Sequence, residues 1–120
     1  MRGGGTRRAG LAVLGFLALA GGAQAAEPRM TFWNLTSDTI TNLVMAPAGT
    51  DGFGPNQCAN DRDGSVDHDE RLRLTGIQPG RYDVRLTGKK GKVCLVRDVE
   101  VRGDGRYAFS LSDKDLTDCK

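Results

Sequence analysis

The 120-residue sequence holds a single histidine, a single tryptophan, four prolines and three cysteines, and these scarcities exclude much chemistry. Any Ser-His or Cys-His nucleophile system would have to use His68. That ring lies between Asp67 and Asp69 in a polar stretch with no nucleophile motif nearby, so it reads as a solvated side chain. A zinc site built from His68 and the cysteines lacks paired ligand spacing and competes with disulfide formation. Carboxylate pairs always occur among fifteen acids, but nothing selects one for glycosidase-type work. No catalytic constellation is visible, and the chain reads as non-enzymatic.

An excess of charge of one sign is also missing. The formal net charge is +2, and Arg2, Arg7 and Arg8 precede an apolar run over residues 11–20 that ends in small residues. Basic start, apolar middle and small-residue end are the order of a secretory signal. Ala23-Gln24-Ala25 places the cut after Ala25, which makes residues 1–25 a signal peptide and 26–120 one domain. The run is too short for a membrane span, which needs roughly 20 apolar residues. Thr6-Arg7-Arg8 with Leu11 resembles a twin-arginine signal, but Gly10 stands where a bulky apolar residue is usual, which favours the ordinary export route. The segment carries three of the seventeen basic residues and none of the fifteen acidic ones, so its removal leaves a net charge of −1. A near-neutral domain offers no global field for nucleic acid or an anionic membrane. The expected address is exported, with periplasm ahead of full secretion.

A domain of this size buries a modest fraction of its surface and benefits from a staple. Cys58, Cys94 and Cys119 allow one intramolecular pair in an oxidising compartment and leave one thiol over. Cys94 with Cys119 is the expected bridge, because it would join a buried strand to the last segment, and it should contribute roughly 3 kcal/mol. Pairing of Cys58 with either of the others stays open; unpaired, it reads as a free thiol or a contact with a partner chain.

Short strand signals recur between turn signals, the pattern of an all-β fold: a small β-sandwich of about seven strands, with a short helical turn near the C-terminus. Residues 30–35 and 39–45 are rich in β-branched and aromatic types and read as a hairpin through Ser37-Asp38. Arg71-Leu72-Arg73-Leu74 alternates strictly, as does Arg81-Tyr82-Asp83-Val84-Arg85-Leu86, with the apolar set inward. Residues 92–96 read as a central strand covered on both faces. Val99 and Val101 form a sixth strand and Tyr107, Phe109 and Leu111 a seventh. Ser112 with Asp115 has the spacing of a capped helical turn.

Between the second and third strand signals, residues 47–69 form a long loop rich in glycine, asparagine and aspartate, of the kind that is usually functional or mobile. Laid on a calcium loop, residues 59–70 place Asp61, Asp63, Asp67 and Glu70 at ligand positions and Gly64 at the sharp turn. The first ligand position is Ala59, however, and no helix flanks the segment, so a solvated acidic turn is the leading reading. No cofactor is otherwise expected.

Arg71, Arg73, Arg81 and Arg85 should line outward strand faces, with Asp83 between two of them, as solvated surface or an anion-binding patch. By alternation one of Phe32 and Trp33 faces inward, and both are expected to be mostly buried. Asn34-Leu35-Thr36 fits a glycan acceptor pattern.

Pro79-Gly80-Arg81-Tyr82-Asp83-Val84-Arg85-Leu86, Gly91-Lys92-Val93 and Val99-Glu100-Val101 resemble the repeated pattern of prealbumin-like and other immunoglobulin-like β-sandwich modules. The wider layout resembles small exported bacterial proteins of unassigned activity: Phe32-Trp33-Asn34-Leu35-Thr36, Pro47, Phe53-Gly54, Cys94, Asp98-Val99 and Cys119. This second resemblance also implies the Cys94 to Cys119 bridge. The functional expectation is an exported binding module that engages a protein or envelope component through loop 47–69. A calcium-binding module using residues 59–70 and an inhibitor of an envelope-degrading enzyme are the alternatives.

Overall fold

The structure is a computed structural model that describes residues 29–120. The expected signal segment lies outside the described residues. Six strands follow one another: β1 (Met30–Leu35), β2 (Ile40–Pro47), β3 (Arg71–Leu74), β4 (Gly80–Gly88), β5 (Val93–Val101) and β6 (Phe109–Ser112). They form two three-stranded sheets ordered β3-β1-β6 and β2-β4-β5. The fold is therefore all-β. Among the described residues, no helix is long and apolar enough to cross a membrane.

The alternation read from the sequence fixes the inward faces. Phe32, Leu72, Leu74, Phe109 and Leu111 from one sheet and Leu43, Val84, Leu86, Cys94 and Val96 from the other join one apolar cluster. The Phe32 and Phe109 rings meet at 4.9 Å within it. In β2 the inward residues Ile40 and Leu43 are three apart instead of two or four, and a bulge between Ile40 and Asn42 absorbs the extra residue.

Three expectations are corrected. The first concerns β1 and β2, which do not make a hairpin: β1 lies between β3, antiparallel, and β6, parallel, while β2 pairs with β4. The short connection is folded back on Asn34, whose side-chain oxygen accepts from the Thr36 amide and whose NH2 group donates to Asp38 O. The chain leaves this turn toward the other sheet. Second, the two strands expected over residues 92–102 are one, β5, so the described residues hold six. A bulge at Arg97-Asp98 interrupts the alternation, and Asp98 sits there at φ 56°. Third, β5 is an edge strand and β4 the central one. Residues 117–120 run along that edge, with bonds from Val93 N to Lys120 O, Lys120 N to Val93 O and Leu95 N to Thr117 O.

The Cys94–Cys119 disulfide fastens this tail to β5. A 3-10 turn at Asp113–Asp115 precedes it, where the Asp115 carboxylate accepts from the Ser112 amide, matching the capped turn expected there. The β4–β5 hairpin closes with Gly91 at φ 96°, a left-handed position that glycine adopts without strain.

Loop 47–69 is tied to the sheets along its length. Its middle carries a 3-10 turn, Gln57–Asn60, and three side-chain amides, of Gln57 and Asn60 in the turn and of Asn56 before it, act as substitute strands. Asn56 accepts from Leu43 N and donates to Thr41 O on the β2 edge. Gln57 exchanges two bonds with the Thr75 main chain, and Asn60 donates to Arg73 O on the β3 edge. Val66, buried, pairs with Ile40. Open strand edges are templates for unwanted pairing, and this loop covers two of them. Cys58, fully buried and unpaired, packs below it with Sγ 3.5 Å from Ile40 O. Its burial removes it from contact with any partner chain and, with Asp61 nearby, pushes the thiol pKa up to about 11.

Candidate binding surface

The outward face of the β3-β1-β6 sheet is set by the same alternation that buries Phe32. Trp33 points the other way, opposite Arg71 on β3 and Ser110 on β6. It is half-buried, as expected of an aromatic on the outward face beside the buried Phe32. Tyr107, just before β6, brings its ring to 4.9 Å from that of Trp33. The Arg71 guanidinium lies 4.8 Å from the Trp33 ring centre and 5.7 Å from that of Tyr107, within cation–π range of both. Arg71 also donates to the Tyr107 hydroxyl at 3.2 Å and to Asp69 O at 2.7 Å.

Asp69 joins this cluster to the end of the long loop. Its carboxylate accepts from Trp33 Nε1 at 2.9 Å. Its backbone sits at φ 69°, where a non-glycine residue is strained, and the bond from its amide to Asn34 O holds it there. Strained residues of this kind often mark sites where geometry matters more than stability. The indole on β1 and the guanidinium on β3, with the phenol just before β6, are thus held with polar atoms already engaged, while the Arg71 side chain remains 46 % exposed.

The residues of the calcium expectation divide between two turns. Asp61 accepts from the Asp63 amide in one. In the other, Glu70 accepts from the Asp67 amide while Asp67 accepts from the Thr39 hydroxyl. No group of three or more His, Cys, Asp or Glu side chains that could hold a metal is gathered among the described residues. His68 donates from Nδ1 to Thr36 O at 2.8 Å, the tautomer that a carbonyl partner requires. Asn34 of the acceptor pattern is fully buried with its amide engaged, which closes it to modification in the folded chain.

The four arginines do not act as one patch. Arg71 serves the aromatic cluster, Arg81 pairs with Asp98 at 2.7 Å and Arg85 lies over Phe53 at 4.0 Å, while Arg73 is exposed. Asp83, expected outward among them, is buried. It accepts from Asp98 N, which closes the β5 bulge, and from Gly49 N at the start of the long loop. A carboxylate amid an apolar alternation was the only signal of this role in the sequence.

The Asp98 and Gly49 amides hold the Asp83 carboxyl below its ordinary pKa, against the opposing effect of burial and with help from Arg97. A group whose pKa is depressed by folding stabilises fully above its unfolded value, about 4, and that contribution is lost as pH falls through the folded value. Asp83→Asn should therefore lower the unfolding midpoint at neutral pH and flatten the acid limb of the stability profile below about pH 4. Urea unfolding across that range checks it; an acid limb as steep in the variant as in the wild type would contradict the assignment.

Comparison with protein-family models, curated proteins and solved structures finds no match to this chain.

Proposed function

We propose that the chain is an exported, non-enzymatic β-sandwich module that binds a protein or envelope component on the outward face of β3-β1-β6, together with the Asp67 to Glu70 end of the long loop. The observation that carries this reading is the half-buried Trp33–Tyr107 pair capped by the exposed Arg71 guanidinium. Tryptophan, tyrosine and arginine are the residues most enriched among those that dominate binding energy at interfaces. Here they are already ordered, so little side-chain entropy is lost on binding. The loop contributes through its exposed acidic end, because its middle is committed to the core.

A sandwich of prealbumin-like or immunoglobulin-like type is supported by the shared core of the two sheets. It is also supported by Tyr82, whose hydroxyl donates to Gln78 O and accepts from Gln78 N, four residues upstream. Such a tyrosine corner recurs in immunoglobulin-like sandwiches. Export, with the periplasm as the favoured compartment, is supported by the signal pattern and by a disulfide, which persists in oxidising surroundings.

The test is retention of envelope components on the immobilised mature chain, compared with Trp33→Ala and Arg71→Ala. Each variant should weaken capture of the same component at least tenfold while leaving Cys58 protected from thiol reagents, which reports an intact core. Undiminished capture by both variants would overturn the reading.

A further inference from the structure

The other sheet carries a second feature that is independent of the reading above. On the outward face of β2-β4-β5, Arg85 on β4 stands opposite Leu95 on β5, and Thr87 opposite Val93. Beside them the tail pinned by Cys119 runs along the β5 edge and raises a wall. Between strand face and wall lies a cleft of about 590 Å³. That volume is in the range of small-molecule sites.

Its chemistry is two-part. The half-buried side chains of Val93 and Leu95 supply an apolar floor. Around it stand three cations, Arg85, Arg97 and Lys120, against Asp118 and the main-chain carboxylate of Lys120, whose oxygen accepts from Val93 N. Among the described residues no carboxylate lies within ion-pair distance of Arg85 or Lys120, and Arg97 reaches only Asp83 at 3.7 Å. Arg85 is instead parked over the Phe53 ring, 4.0 Å from its centre, a contact that an arriving anion can outcompete. In a chain whose acidic and basic residues nearly balance, an Arg85 without an acid partner and an Arg97 held only by the 3.7 Å contact to Asp83, both beside an apolar floor, point to a ligand with matching halves.

We propose that this cleft binds a small anionic amphiphile: a carboxylate or phosphate head held by Arg85, Arg97 and Lys120, with a short apolar body against Val93 and Leu95. Calorimetric titration of the mature chain with decyl phosphate and with decanoate, both below their micelle concentrations, should give saturable binding. Inorganic phosphate, which lacks the body, and decyl maltoside, which lacks the charge, should each bind at least tenfold more weakly. Arg85→Gln, which disturbs only the Phe53 contact, should weaken decyl phosphate about tenfold, the loss expected for one charge-assisted bond. Arg85→Gln with Arg97→Gln should abolish it. Retention on phosphatidylglycerol vesicles as well as soluble ligand would assign the head group to a lipid, and soluble binding alone to a free molecule. Absence of binding to both anions, equal binding of the maltoside, or an unchanged affinity in the double variant would overturn the proposal.

Discussion

Asn34→Ala should lower the free energy of unfolding by about 3 kcal/mol, a large loss for one polar side chain. Asn34 is fully buried, and its side chain joins three parts of the chain that share no strand pairing. The oxygen accepts from the Thr36 amide at 2.9 Å and the Thr36 hydroxyl at 2.7 Å, and the NH2 group donates to Asp38 O and Val66 O at 3.0 Å each. Its main chain adds bonds to Asp69 and Glu70. Truncation leaves the buried Thr36 amide without its acceptor, at about 1–3 kcal/mol, leaves the Thr36 hydroxyl only the longer bond to Asp38 O at 3.3 Å, and removes the two donors to Asp38 O and Val66 O.

The isosteric Asn34→Asp is the sharper probe. It would set a carboxylate oxygen against two carbonyl oxygens in a buried site, which raises the folded-state pKa. The penalty should then be small at low pH, grow as pH rises through the unfolded value near 4, and exceed that of alanine at neutral pH. Urea unfolding of both variants, with Cys58 labelling as an independent measure of core opening, reads these effects. A loss under about 1 kcal/mol for Asn34→Ala would mean that water replaces the amide, and the turn would not be the device that sends β2 to the second sheet.

That turn also marks the limit of what local sequence pattern encodes. Strand positions were legible, because alternation such as Arg71-Leu72-Arg73-Leu74 depends on one residue pointing in and the next pointing out. Partner choice was not. The parallel pairing of β1 with β6 joins residues more than seventy positions apart, and nothing in either strand's pattern encodes it. A two-residue turn signal at Ser37-Asp38 suited a hairpin, but the hydrogen-bonding capacity of Asn34 overrode it. The β5 bulge was hidden for a similar reason: the break in alternation at Arg97-Asp98 looks like a turn until the buried carboxylate of Asp83 is seen to satisfy the bulge amide. In the long loop, Cys58 and Val66 pack onto the core, although the sequence offered Cys58 only as a free thiol or a partner contact and the loop as functional or mobile. Of the candidate surfaces, alternation required one of Phe32 and Trp33 to face outward, and the burial of Phe32 shows that it is Trp33. Tyr107 and Arg71 could be placed beside it only once β1 was known to lie between β3 and β6.

Breaking the Cys94–Cys119 bridge should have the largest effect of all, because it acts on two levels. Its residues are 25 apart in sequence, and the chain-entropy model gives roughly 3.5 kcal/mol for a loop of that size. Cys94→Ala with Cys119→Ala should approach that loss in urea unfolding, whereas Cys58→Ala, which closes no loop, should not. The second level is local. The tail is held to β5 by backbone bonds at Val93 and Leu95 and by the Thr117 hydroxyl on Leu95 O, and without the bridge these few bonds have to hold a terminal segment alone. The Val93 and Leu95 amides should then exchange with solvent much faster, while the amides of central β4 should speed up only as far as the lower global stability requires. The tail is also a wall of the basic cleft, so the doubly substituted chain should bind decyl phosphate at least tenfold more weakly under conditions where it is still folded. Unchanged exchange at Val93 and Leu95 would show that the tail pairs with the edge unaided. The bridge would then act through the unfolded chain alone, and the cleft would keep its shape in a reducing environment.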